Sequence, residues 1–145
     1  MIVNERAVRI PAPVGTVWKL FATEDGQREL TRGFVSAITF QGSGLGALRR
    51  MSTAGHITAG QIEERLVKYD PGRYELEYEI TDTGGVVPFA DYRGWVKLIP
   101  AGPEACVLAL RSSFIPVEIP DAAALAISRA NFDLVFANVR RLVAG

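Results

Sequence analysis

The chain has 145 residues, 48% of them hydrophobic, with 16 basic and 16 acidic side chains and no formal net charge. That length predicts one domain, 1–145, burying roughly 70% of its unfolded surface, and the neutral balance supplies no field to gather nucleic acid or an anionic membrane. One cysteine and one histidine exclude an internal disulfide and a metal cluster built from those residues; no apolar run approaches the ~18 residues of a membrane span, and the opening MIVNERAVRI lacks a signal-like core, so no membrane insertion and a cytoplasmic setting are expected.

Residues 4–10, NERAVRI, alternate, with Val8 and Ile10 on one face, and predict a first strand. Pro11 and Pro13 end it and open a helix, in which Val14, Val17, Trp18 and Phe21 recur at i, i+3, i+4 and i+7. Gly26 is expected to close that helix, and QRELTR forms a second short helical turn. From Phe34 the period falls to two. FVSAITF and ALRRMST are strands, and QIEERLVKY follows with Ile62, Glu64 and Leu66 on one side and Glu63, Arg65 and Val67 on the other. DPG at 70–72 is a turn. RYELEYEI then sets Tyr74, Leu76, Tyr78 and Ile80 against glutamates, TDTGG breaks the chain, and DYRGWVKLI and ACVLALRSSF flank the turn PAGPE. Pro120 and Asp121 start a long terminal helix whose broad apolar face draws on Ile127, Ala130, Phe132, Leu134, Val135 and Leu142.

The segment GSGLGA, residues 42–47, fits the G-x-G-x-x-G/A fingerprint of a dinucleotide cradle. That cradle needs a helix beginning within the loop, its amides facing the phosphates. Here ALRRMSTAGHITAG meets Gly55 and Gly60 before any helix develops, and the remaining pattern is an antiparallel meander. The glycines are therefore expected to make a hairpin turn at positive φ.

Taken in order, IPAPVGTVWKLF, GSGLGALRR, IEERLVKYDPGRYELEYEI, FADYRGWVKLIP and SSFIPV resemble the START-like, or SRPBCC, superfamily. Its members include the birch-pollen-allergen family, plant abscisic-acid receptors and bacterial polyketide cyclase/dehydrase-like proteins. The resemblance spans nearly the whole chain. It implies an α+β helix-grip fold: a curved antiparallel sheet of about seven strands wrapped on a long C-terminal helix, with two short helices after strand one. Between sheet and helix it implies an elongated cavity for a hydrophobic small molecule, such as a lipid, a polyketide or an aromatic metabolite. No cofactor is expected, and a homodimer stays open.

Strand parity names the residues that would face such a cavity: Arg49 with Met51, Ile62 with Glu64 and Leu66, Tyr78 with Ile80, Tyr92, and Leu108 and Leu110 with Ser112 and Phe114. The terminal helix offers Ile127, Ala130, Leu134 and Asn138. For the apolar members, plain core and ligand contact look alike in sequence. A charge in an apolar cavity is costly unless paired, so Arg49 and Glu64 form a cross-strand ion pair, face outward, or orient a ligand's polar end. By resemblance, Tyr92 in ADYRG matches an Asn-Tyr position near the receptors' cavity mouth, where a phenol would donate to a carbonyl; a half-buried tyrosine with a wet hydroxyl is the plainer reading.

His56 lies in TAGHITAG, where the receptors carry a Ser-Gly-Leu-Pro-Ala gate. Here the proline is missing, and VVPFADY replaces the second gate's His-Arg-Leu, so hormone sensing is not expected. A histidine at a cavity mouth would shuttle protons near neutral pH or stand solvated. Three functions follow: a carrier of a hydrophobic small molecule; a cofactor-free cyclase or dehydratase with Glu64 or His56 as acid or base and Tyr92 or Arg49 polarising a carbonyl; or a domain that docks another protein through its helix or loop rim.

Overall fold

A computed structural model describes residues 1–33, 35–53 and 60–144. Strand β1 (Ile2–Ile10) leads into helices α1 (Val14–Ala22) and α2 (Glu24–Leu30). Six strands follow: β2 (Val35–Gln41), β3 (Leu48–Thr53), β4 (Gln61–Asp70), β5 (Glu75–Asp82), β6 (Phe89–Pro100) and β7 (Cys106–Pro116). Helix α3 (Asp121–Ala144) ends the chain. The strands form one antiparallel sheet in the order β1-β7-β6-β5-β4-β3-β2, curved around α3. This is the helix-grip α+β architecture.

The glycine segment joins β2 to β3 as a turn, with Gly42, Gly44 and Gly46 at φ of +80°, +69° and +85°. A side chain at any of the three would strain the backbone, which is reason enough for glycine to recur there. Gly26 does not close the first helix. The break falls at Thr23, whose Oγ1 accepts from the Gly26 amide at 3.0 Å and caps α2. Gly26 instead lets α2 fold back against α1, since a Cβ there would lie 2.1 Å from the Lys19 carbonyl oxygen.

The larger core packs Val17, Trp18 and Phe21 of α1 against Ile10, Leu76, Leu98 and Leu108 of the sheet and Phe136 and Val139 of α3. A smaller cluster joins Phe89, Phe114 and Ala124. Along α3 the buried stripe is Ala124, Ser128, Phe132, Phe136 and Val139, a spacing near 3.6 residues. The expected face was broader: Ala130 and Leu134 are exposed rather than packed, because that flank of the helix borders a hollow instead of the sheet.

Hydrogen bonds fasten α3 to the frame. Asn4 Nδ2 donates to Ser128 Oγ at 3.0 Å, and Ser128 Oγ shares a bond of 2.9 Å with Ser112 Oγ; Asn4 and Ser112 are register partners across β1 and β7. Asn138 Nδ2 donates to the Leu30 and Arg32 carbonyl oxygens at 2.8 and 3.3 Å, tying α3 to the end of α2. Among the described residues, no helix is long and apolar enough to cross a membrane.

Candidate functional site

Between the sheet and α3 lies a cavity of about 460 Å³, within the ~300–1,000 Å³ typical of small-molecule sites. Alternation along the strands turns Arg49 and Met51 of β3, Ile62 and Glu64 of β4, Tyr78 and Ile80 of β5 and Leu110 of β7 into it. Helix α3 contributes Ile127, Ala130 and Leu134 from the flank that the core leaves uncovered. Phe21, Gln27, Leu30, Val35, Val86 and Val87 complete much of the remaining wall.

One ion pair interrupts this apolar lining. Arg49 and Glu64 are register partners on β3 and β4. The guanidinium donates from Nε at 3.0 Å and from Nη2 at 2.6 Å to one carboxylate oxygen, Glu64 Oε1, and from Nη1 at 2.7 Å to Gln27 Oε1. It also lies 3.8 Å from the centroid of the Tyr78 ring, a cation–π contact. The two side chains are 17% and 9% exposed. Burial pulls the Arg49 pKa down, but the facing Glu64 carboxylate, with Tyr78 and Tyr92, outweighs it and holds the guanidinium above its usual value. Of the sequence readings of this pair, the cross-strand ion pair is the one the geometry shows, and the outward register is not adopted: both residues line the hollow.

Tyr92 reaches the cavity through a defect in β6. Between Ala90 and Arg93 the register with β7 slips, and Asp91 adopts φ +52°. The slip brings Phe89 and Tyr92, three residues apart, to the same face, where their rings stack at 5.9 Å. Two residues on, Gly94 lies on the same face, where a Cβ would stand in ordinary contact with the Tyr92 side chain at 3.4 to 3.8 Å. Burial, helped by the nearby Glu64 carboxylate, pushes the phenol far above its usual pKa, against the opposing pull of Arg49 and Ser112. A phenol held protonated in this way is a donor.

Five candidates stand behind the wall, among them Leu66 and Leu108, which are buried in the main core. Ser112 is fully buried in the Asn4–Ser128 seam, Phe114 is fully buried against Phe89, and Asn138 is bonded to backbone at the end of α2. His56 lies outside the described residues. Gln27 and Phe89 were not foreseen. The polar face of α2 gave Gln27 no mark in sequence, and strict alternation from Tyr92 points Phe89 outward; the non-glycine residue Asp91 at positive φ is the local feature that reverses it.

A model of the family described as polyketide cyclase / dehydrase and lipid transport matches residues 1–144. The chain belongs to that family. Among solved structures, the protein XoxI from Bacillus cereus superposes with a TM-score of 0.83 at 15% identity, covering 99% of this chain and 96% of that one. Norcoclaurine synthase from Thalictrum flavum, solved with dopamine and hydroxybenzaldehyde, gives 0.75 at 14% identity over 99% of this chain and 86% of its own. The Bet v 1-like allergen Ara h 8.0201 gives 0.80 at 14% identity over 99% of each chain. At such identities these likenesses carry the fold alone. No curated protein matches the chain in sequence. Family and fold together make this a hydrophobic-ligand-binding type of domain.

Proposed function

We propose that the protein binds a hydrophobic small molecule, a lipid, polyketide or aromatic metabolite, inside the cavity between the sheet and α3. The observation that carries this reading is the hollow itself: about 460 Å³ walled by Met51, Ile62, Ile80, Leu110, Ile127 and their neighbours, with the Arg49–Glu64 pair and Arg111 its charged residues among those described. Apolar surface around a few convergent polar groups is the common build of a small-molecule site. The ligand's apolar body would rest on the aliphatic wall, and its polar end would meet Arg49, Glu64, Gln27 and Tyr92. Native mass spectrometry of freshly purified protein should show a co-purifying apolar compound, or uptake of an added uncharged fluorophore. A clean unliganded spectrum with no uptake overturns the proposal.

A second reading is favoured by one pairing in the wall, a carboxylate and a protonated phenol on the same cavity. Glu64 would accept a proton from a carbon next to a carbonyl while Tyr92 donates a hydrogen bond to that carbonyl oxygen, the arrangement of a cofactor-free cyclase or dehydratase. Glu64→Gln should then abolish turnover of an activated polyketide-like substrate with the fold intact. Unchanged turnover removes Glu64 from the chemistry.

A further inference from the structure

The charges in the cavity wall cancel before any ligand arrives. Arg49 spends two N–H groups on a single oxygen of Glu64 and a third on Gln27 Oε1. Arg111, the other charged residue of the wall among the described residues, carries its guanidinium toward Glu5 and Glu77 and over the Trp95 ring. What remains at the polar end is one carboxylate acceptor, Glu64 Oε2, and a few donors: Gln27 Nε2, the Tyr92 hydroxyl and the two N–H groups of Arg49 that Glu64 and Gln27 leave over. None of these atoms is sealed in without a partner, and all belong to residues lining the hollow.

Building on the reading of the hollow as a ligand site, we propose that it selects uncharged ligands whose polar end carries both a donor and an acceptor, such as an alcohol or an amide, and discriminates against the carboxylate and ammonium forms of the same skeleton. A neutral head donates to Glu64 Oε2 and accepts from Gln27 Nε2, replacing its bonds to water. A carboxylate brings an unbalanced charge into an enclosure where Glu64 already neutralises Arg49 and where Arg111 is turned to Glu5 and Glu77, and it faces the free Glu64 oxygen. An ammonium gains that oxygen but sits beside the Arg49 guanidinium. Either ion leaves the site with a net charge, and burying an unbalanced charge is far costlier than burying a bonded neutral group.

The experiment is displacement of the uncharged fluorophore N-phenylnaphthylamine by decanol, decanamide, decanoate and decylammonium at neutral pH. Decanol and decanamide should compete at concentrations at least about tenfold lower than either ion, a gap of about 1.4 kcal/mol. An alcohol leaves water more readily than a carboxylate, so the variants carry the decision. Glu64→Gln, which leaves Arg49 uncompensated, should bring decanoate to or below the decanol concentration and weaken decylammonium further. Arg49→Gln should do the reverse, and it decides the matter should Glu64→Gln fail to fold. Decanoate competing as well as decanol in the native protein, or an order of ligands that neither variant changes, overturns the selectivity while leaving the cavity as a binding site. Failure of the fluorophore to bind at all overturns the cavity reading and the selectivity with it.

Discussion

Arg49 and Glu64 depend on each other because both are withdrawn from water, at 17% and 9% side-chain exposure. Removing one partner strands the other's charge in the wall, and breaking a buried pair in this way typically costs about 3–5 kcal/mol. Arg49→Met and Glu64→Leu are each expected to destabilise by about that amount in urea unfolding. The double variant should recover most of the loss, since an apolar pair of similar volume strands no charge. Additive losses in the double variant would show that the two do not act as a unit. Tyrosine supplies a second test at this scale. Burial raises the pKa of both Tyr78 and Tyr92, so above about pH 10 the unfolded chain releases phenolic protons that the folded state keeps. The unfolded state then binds fewer protons, and stability should fall as pH rises from there. An ultraviolet titration should show a late phenolate step that coincides with alkaline unfolding, and Tyr78→Phe and Tyr92→Phe should each remove one phenol from it. A late step unchanged by both substitutions would contradict the burial assigned to them.

At the scale of elements, α1 and α2 approach each other closely at Gly26. Gly26→Ala places a methyl carbon where the Lys19 carbonyl oxygen already stands, at 2.1 Å. Neither atom belongs to a flexible side chain, so the helices must part, at a cost of about 1–3 kcal/mol by analogy with overpacked cores. Because Gln27 rides on α2 and holds Arg49, the same variant should also weaken ligand binding; a drop in stability with binding intact would separate the two effects. In sequence Gly26 looks like a helix terminator, since a propensity scale sees only its missing side chain and not the neighbour that requires it. The strands were more legible. Period-two alternation placed Arg49, Met51, Ile62, Glu64, Tyr78, Ile80 and Leu110 in the wall, since each strand there keeps one face to the interior. Alternation stopped being informative at the Asp91 bulge, where Phe89 changes face, and the apolar pattern did so on α3, where Ala130 and Leu134 border the cavity while Phe136 and Val139 are packed in the core. Both kinds of position read as apolar. Only the relation of helix to sheet distinguishes them.

The whole molecule is built around a space that it does not fill. At about 24 cal/mol per Å³, a dry void of this size would cost on the order of 10 kcal/mol, comparable to the ~5–15 kcal/mol that stabilises a typical domain. Water entering from the mouth lowers that cost without restoring the lost apolar contacts, so occupation by an apolar guest should stabilise the fold. Gly94 gives the direct test. It lies on the wall inside β6, no backbone strain reserves the position for glycine, and a Cβ there would meet only the edge of the Tyr92 ring at 3.4 Å and beyond. Gly94→Leu should therefore project an isobutyl group into the hollow and displace Tyr92 by a few tenths of an ångström, leaving the sheet hydrogen bonds intact. The native protein with a guest at one hundred times its Kd should gain about 2.7 kcal/mol, a rise in Tm of roughly 5–10 °C. In Gly94→Leu the unliganded Tm should stay level or rise, the added side chain contributing about 1–2 kcal/mol of apolar burial, while fluorophore uptake and the ligand-dependent shift in Tm should both disappear. Uptake that persists in a well-folded Gly94→Leu protein would place the guest somewhere other than this cavity.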